Sequence, residues 1–368
     1  MTDHSFSAVR DLFDAALESG EELGAAFTLC IEGEVVLDLI GGHADLARER
    51  PFDRRTLTPV FSTTKAVTAL MAARLVDQGR IGWTTPVAEV WPEFGQAGKA
   101  AVTFEQLLSH QAGLPGFDTP QDPGIWFDPP AVLAKLAGQA PMWPLGQGSG
   151  YHPITGGYLI GEVFRRLDGR SLGTALREDL GEPFGLDIWI GLPDSEHGRC
   201  AEMKKPPAAA DLGQLDDIKR AAFLDRGSAP GGRGSAAWRR LEIPSANGHA
   251  TARDLARLMS VMACDGMMEG RQVLSPDTAR AAMAERVQGQ DRVLPFVLSW
   301  AAGFMRNQGV WVYGPGEQTV GHSGWGGSCA FADPERRLSG AYVMNRQSVH
   351  LIGDPRPVKL IEAAYERL

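Results

Sequence analysis

The chain has 368 residues, 43% of them hydrophobic and 22% charged, with a formal net charge of −9. That length and apolar share can bury one large core or two cooperating lobes. The acidic balance and the lack of any Lys/Arg run exclude a surface that tracks nucleic-acid phosphates.

In chain order, "MTDHSFSAVRDLFDAALESG" carries acidic and polar residues where a secretory leader has a basic start and an apolar core, so a cytoplasmic protein is expected. No stretch approaches the roughly 20 apolar residues of a membrane span, and no membrane partner is expected. An amphipathic helix is predicted over residues 6–17. The runs "AAFTLCI" and "EVVLDLIGG" then flank Glu32-Gly33 as a β-hairpin would. Helices are predicted over 64–78, 103–110, 131–136, 155–167 and 251–262, with Pro/Gly-rich loops between them. Thr103 with Gln106, and Thr251 with Asp254, read as helix N-termini.

Residues 225–248, "DRGSAPGGRGSAAWRRLEIPSANG", neither follow a clear strand nor match G-x-G-x-x-G, and read as a mobile surface loop rather than a nucleotide cradle. Later, "GVWVYG", "QTVGHSG", "SCAFAD" and "LSGAYVMN" read as short strands, the last pair joined by "PERRL", and a helix over 358–368 closes the chain. Cys30, Cys200, Cys264 and Cys329 lie far apart, which suggests neither a zinc site nor a disulfide framework. The expected fold is α+β. Residues 1–60 and 290–368 would form an antiparallel sheet flanked by the terminal helices, 61–289 a mostly helical lobe, and the cleft between them the active site.

The chemistry centres on "FSTTK". A serine hydroxyl is a poor nucleophile until a base and a positive field act on it. Spacing of i and i+3 brings Ser62 and Lys65 to one helix face, and a helix N-terminus adds its dipole and free N–H groups. Ser-x-x-Lys alone is a weak motif, since a capping serine and a surface lysine give the same letters. Lys65, however, leads into "AVTALMAARLV", a helix apolar on nearly every side, where a charge needs a partner or a cleft. Tyr151 and His152 stand in a turn before another helix, and a phenol beside a cationic lysine would have its pKa lowered towards base duty. His322, Gly324 and Trp325 sit on a late strand followed by glycines, which permit close backbone approach.

The ordered set "FSTTK", "TFEQLLSHQAGLPGF", "WPLGQGSGYHPITGGYLIGE", "EPFGLDIWIGLP" and "GHSGWGGSCAFADP" followed by "AYVMNR" resembles the serine β-lactamase and penicillin-recognising superfamily, within it the class C-like carboxylesterases called family VIII. The resemblance implies Ser62 as nucleophile, Tyr151 as general base and Lys65 as the field-setting partner exchanging protons with both. It implies an oxyanion hole from the backbone N–H groups of Ser62 and Trp325, because His322-Ser323-Gly324 matches the family's Lys-Thr-Gly position. His152, His322, Gly324 and Gly326 are expected to contact substrate. No metal or cofactor is implied.

Two departures bear on substrate. Tyr151-His152-Pro153 stands where a class C β-lactamase shows Tyr-x-Asn, and His322 stands where those enzymes keep a lysine for the antibiotic's carboxylate. Both changes disfavour β-lactams more than simple esters. The expected activity is hydrolysis of small short-acyl esters through an acyl-enzyme, with Trp143 and Phe117 in a compact acyl pocket. A β-lactamase or amide hydrolase, an acyltransferase, and a non-catalytic binding protein on the same fold are the alternatives. Ser109 and His110 are expected to be scaffold. Ser328 in "GGSCA" is set aside as a G-x-S-x-G nucleophile, because only 40 residues follow it. Nothing in the sequence sets the oligomeric state.

Overall fold

Glu32 and Gly33 both take positive φ, 52° and 84°. That is what a tight two-residue turn requires, and it joins β1 (Gly24–Ile31) to β2 (Glu34–Gly42). The computed structural model describes residues 6–368. The start of the stretch weighed for a secretory leader, 1–5, lies outside the described residues.

The remaining strands are β3 (Thr58–Phe61), β4 (Ile188–Trp189), β5 (Gly248–Ala250), β6 (Met267–Met268), β7 (Arg271–Gln272), β8 (Val287–Gln290), β9 (Val297–Trp300), β10 (Met305–Arg306), β11 (Val320–Ser323), β12 (Cys329–Asp333) and β13 (Leu338–Met344). Eight of them form one antiparallel sheet in the order β2-β1-β13-β12-β11-β10-β9-β8, so the two ends of the chain meet where β1 pairs with β13. Alternation sorts the side chains to two faces. Ala25, Phe27 and Leu29 join Tyr342 and Met344 in a core beneath α1 (Ser7–Glu18) and the Pro355–Tyr365 helix. Ala26 and Cys30 join Ala341 and Val343 in the core on the other face, against which the Ala252–Ala263 helix packs.

The predicted hairpin, the terminal helices and both N-termini are present. Thr103 and Gln106 form a reciprocal capping box, and Thr251 accepts from the Asp254 N–H. Three expectations need correction. "GVWVYG" is not a strand; Val310 and Trp311 donate backwards to the Asn307 carbonyl in a turn, and the short strand is β10 just before it. Strands β8 and β9 were not foreseen, because "VQGQDRVLPFVLSW" lacks sustained alternation.

Residues 225–248 are not a plain surface loop either. Ser235 caps a short helix, Ala236–Arg240, whose Trp238 is buried. The buried Asn247 accepts from the Ile243 N–H and donates to the Trp238 carbonyl, tying the turn together. Among the described residues no helix is long and apolar enough to cross a membrane.

Candidate active site

Strand β3 pairs with β5 and ends at Phe61, which takes φ of 47°, a conformation unusual for a bulky residue. The chain turns sharply there, presents Ser62, and enters α2 (Thr64–Asp77). The Thr64 hydroxyl secures the turn, donating to the Phe61 carbonyl and accepting from the Gly248 N–H at 2.8 Å. Helix α2 is buried along nearly its whole length, so Lys65 is only 5% exposed.

The Lys65 nitrogen lies 3.4 Å from Ser62 Oγ, 2.8 Å from Tyr151 Oη, and 2.9 Å from each of the Pro153 and Ser245 carbonyl oxygens. One of those carbonyls comes from the segment expected to be a mobile loop. Burial holds the Lys65 ammonium well below its usual pKa of 10.5. Tyr151, also 5% exposed, is pushed up by burial, with the Ser62 hydroxyl pulling less strongly the other way. This corrects the expectation of a lowered phenol, since desolvation outweighs the nearby amine. Its ring stacks on Trp300, with centroids 5.9 Å apart and planes 7° off parallel, and meets His110 edge-on at 5.0 Å. The buried Asp291 carboxylate holds the Tyr151 backbone by accepting its N–H at 3.0 Å, together with those of Val293 and Leu294. His110, whose ring also meets Trp300 edge-on, sits within this scaffold.

Neither the Ser62 N–H nor the Trp325 N–H donates to a protein acceptor. A chain of bonds holds the Trp325 loop. Arg356 donates to the Gly326 carbonyl at 2.8 Å, and Gln347 donates to the Trp325 carbonyl at 3.3 Å. Arg356 is itself buried between Glu22 and Asp354, with contacts of 2.9 Å and 2.8 Å. Ser328 ties this loop to the Ser62 turn by donating to the Val60 carbonyl at 2.8 Å and meeting the Thr63 hydroxyl at 3.1 Å. It is a fully buried strut.

A cavity of about 350 Å³ opens over Ser62, lined by Tyr151, Trp300, His322, Trp325 and Arg233 among others, with no Asp or Glu in its wall. Burial, more than the neighbouring Lys65, pushes the His322 pKa down to about 3. Its Nδ1–H donates to the Ser323 carbonyl at 2.9 Å, while buried Nε2 has no partner.

Four expected substrate contacts therefore divide. His322 lines the cavity and the other three do not. His152 is fully buried, donating from Nδ1 to the Gly150 carbonyl at 2.7 Å and accepting the Leu114 N–H at Nε2 at 2.9 Å, which leaves no atom for substrate. Gly324 is spent on packing, because an added Cβ would fall 2.2 Å from both the Val60 carbonyl and Ser328 Oγ. Gly326, at φ of 91°, faces Gln347. Trp143 and Phe117 are also away from the cavity, packed on His152 and Trp126. Arg233, Trp300 and Trp238 were missed. The signal available for the last was a tryptophan among small residues in a supposed loop, "GSAAWRR".

Among the described residues, no cluster of His, Cys, Asp or Glu is arranged to hold a metal ion, and all four cysteines are free and buried.

A family model described as Beta-lactamase matches residues 9–363. Esterase/beta-lactamase LipL of Mycobacterium tuberculosis is 34% identical over 359 residues, spanning 94% of this chain and 82% of that one. A penicillin-binding protein homolog from Caulobacter crescentus superposes with a TM-score of 0.97 at 60% identity, over 99% of this chain and 98% of that one. A family VIII carboxylesterase superposes with a TM-score of 0.92 at 39% identity, again over 99% and 98%. The α+β architecture is thus that of these structures. With the family match running over 9–363, the chain belongs to the beta-lactamase family and is a serine hydrolase.

Proposed function

We propose that the protein is a carboxylesterase that hydrolyses small, short-acyl esters through an acyl-enzyme on Ser62. The observation that carries this is the Lys65 nitrogen, buried within 3.4 Å of Ser62 Oγ and 2.8 Å of Tyr151 Oη. Lys65 in its neutral form donates its two N–H bonds to the Pro153 and Ser245 carbonyls, and its lone pair faces the phenol. The Ser62 proton passes to Tyr151 as the phenol's own proton passes to Lys65, and Oγ attacks the ester carbonyl. The resulting oxyanion accepts the two unpaired N–H groups of Ser62 and Trp325. Collapse breaks the bond to the alcohol, which leaves with the proton returned through Tyr151. Water, deprotonated by the same pair, then attacks the acyl-enzyme and releases the acid.

The names of LipL and of the family VIII carboxylesterase support an ester substrate, and the mostly apolar cavity of about 350 Å³ suits a short acyl chain. Four free, buried cysteines accord with a reducing compartment, and the proposal places the enzyme in the cytoplasm. The test is labelling with a fluorophosphonate and peptide mapping of the adduct, together with rates over an acyl-length series. Label on Ser62 that disappears in Ser62→Ala is expected. Label on Ser328, or rates that rise steadily with acyl length, would overturn the proposal.

A further inference from the structure

The cavity wall contains one fixed positive charge whose role the chemistry above does not use. Arginines of this chain commonly find carboxylates: Arg356 meets Glu22 and Asp354, Arg257 meets Asp254, and Arg240 meets Asp194. Arg233 meets none. Its guanidinium carbon lies 4.3 Å from the centroid of the Trp325 ring and 5.7 Å from that of Phe61. Those two rings bracket the reaction centre, since Phe61 precedes Ser62 and Trp325 carries the second unpaired N–H. Aromatic contacts occupy a face of the guanidinium and leave its N–H edge free, the edge that binds a carboxylate in fork geometry.

The rest of the cavity offers an anion no competition. No Asp or Glu lines it, and most of the other lining side chains are apolar. Lys65 does not reach its wall, and His322 presents an unpaired acceptor nitrogen rather than a cation. A lone guanidinium beside an acid-free apolar cavity gives that cavity a positive field at its exposed rim.

We propose that Arg233 forms an anion subsite, so that the preferred esters carry a carboxylate on the arm that reaches Trp325. This rests on the esterase reading for its substrate class, and the experiment separates the two. Hydrolysis is followed for mono-4-nitrophenyl glutarate against 4-nitrophenyl butyrate, and for 4-acetoxybenzoate against phenyl acetate, in wild type, Arg233→Gln and Arg233→Lys. The first pair places the charge on the acyl arm and the second on the alcohol arm.

In one of the two pairs, Arg233→Gln is expected to raise KM for the charged ester and lower its kcat/KM by about tenfold or more, with the neutral ester little changed. Arg233→Lys should restore part of the loss, and added salt should erode the preference in wild type. An unchanged charged-to-neutral ratio in both pairs, or equal losses for charged and neutral esters, would overturn the subsite and make Arg233 a clamp on Trp325.

Should wild type hydrolyse none of the four esters, the esterase reading fails by itself. The subsite is then judged by calorimetry on Ser62→Ala with the same four compounds. Tighter binding of a charged member that vanishes in the Ser62→Ala, Arg233→Gln double variant supports it, and equal binding of charged and neutral members overturns it.

Discussion

The reacting corner of the site and the cavity wall beside it are built on opposite terms. At the corner the proton-handling groups are densely bonded: the Lys65 nitrogen has four oxygen neighbours, and Asp291 gathers three backbone N–H groups behind Tyr151. Along the wall, among the described residues, the Ser62 and Trp325 N–H groups and His322 Nε2 have none, and the exposed Arg233 guanidinium meets only the Phe61 and Trp325 rings. Buried polar groups are nearly always paired, so vacancies gathered at one cavity mark where a ligand supplies the missing partner. Under the proposed mechanism, the groups that move protons are held still and the groups that receive substrate are left open.

The largest expected effect comes from Ser62→Ala. It should lower kcat for any ester by about 10⁴-fold or more while leaving Tm close to wild type, as initial rates and calorimetry would show. A small drop would mean that the corner is not where the bond is made.

Next is Lys65→Arg, which keeps a cation but has no lone pair near neutral pH. If Lys65 acts as a base, kcat should fall about 10²–10⁴-fold, whereas near-wild-type rates would show that a field alone suffices. The same distinction has a pH signature. Only the unprotonated amine can accept a proton, so kcat/KM should fall as pH drops through the depressed Lys65 pKa, giving a limb well below 10.5. Burial holds His322 and His152 near 3, so neither should contribute an inflection between pH 5 and 8.

Arg356→Met tests how rigid the wall must be. It leaves Glu22 and Asp354 without their buried cation and frees the Gly326 carbonyl. It should reduce stability by about 3–5 kcal/mol in chemical denaturation and lower kcat more than it alters KM. The smallest effect on activity is expected from His152→Ala, which removes two buried hydrogen bonds. Stability should drop by about 1–3 kcal/mol with KM unchanged, and a raised KM for several esters would return His152 to the substrate.

Local patterns carried most of the backbone reading. The Glu32-Gly33 hairpin, the Thr103 capping box and the buried α2 are each set by residues within one turn or one strand pair of each other. Strands β8 and β9 escaped because their alternation is broken by "DRVLP", and "GVWVYG" misled because an apolar run is compatible with a turn held by one asparagine. Among site residues, Ser62, Lys65 and Tyr151 were legible and do meet. His152, Gly324 and Gly326 stood out in the sequence, but their neighbours did not, since identity alone does not tell whether an atom's partner is protein or substrate; the structure gives His152 two protein partners and packs the glycines against Val60, Ser328 and Gln347. Arg233 was invisible among glycines and serines, a composition that resembles any exposed loop.

By itself the sequence determined the α+β class, which follows from the period of its segments, and it brought Ser62, Lys65 and Tyr151 forward through spacing together with a family resemblance. Tertiary structure alone decided that the Ser245 carbonyl reaches Lys65, that Arg356 braces the Trp325 loop, and that burial raises Tyr151 while lowering Lys65. Those outcomes depend on distances and desolvation between segments up to 334 residues apart, such as Glu22 and Arg356. No local pattern encodes them, because a pKa and a hydrogen bond belong to a place in the fold rather than to a residue in the chain.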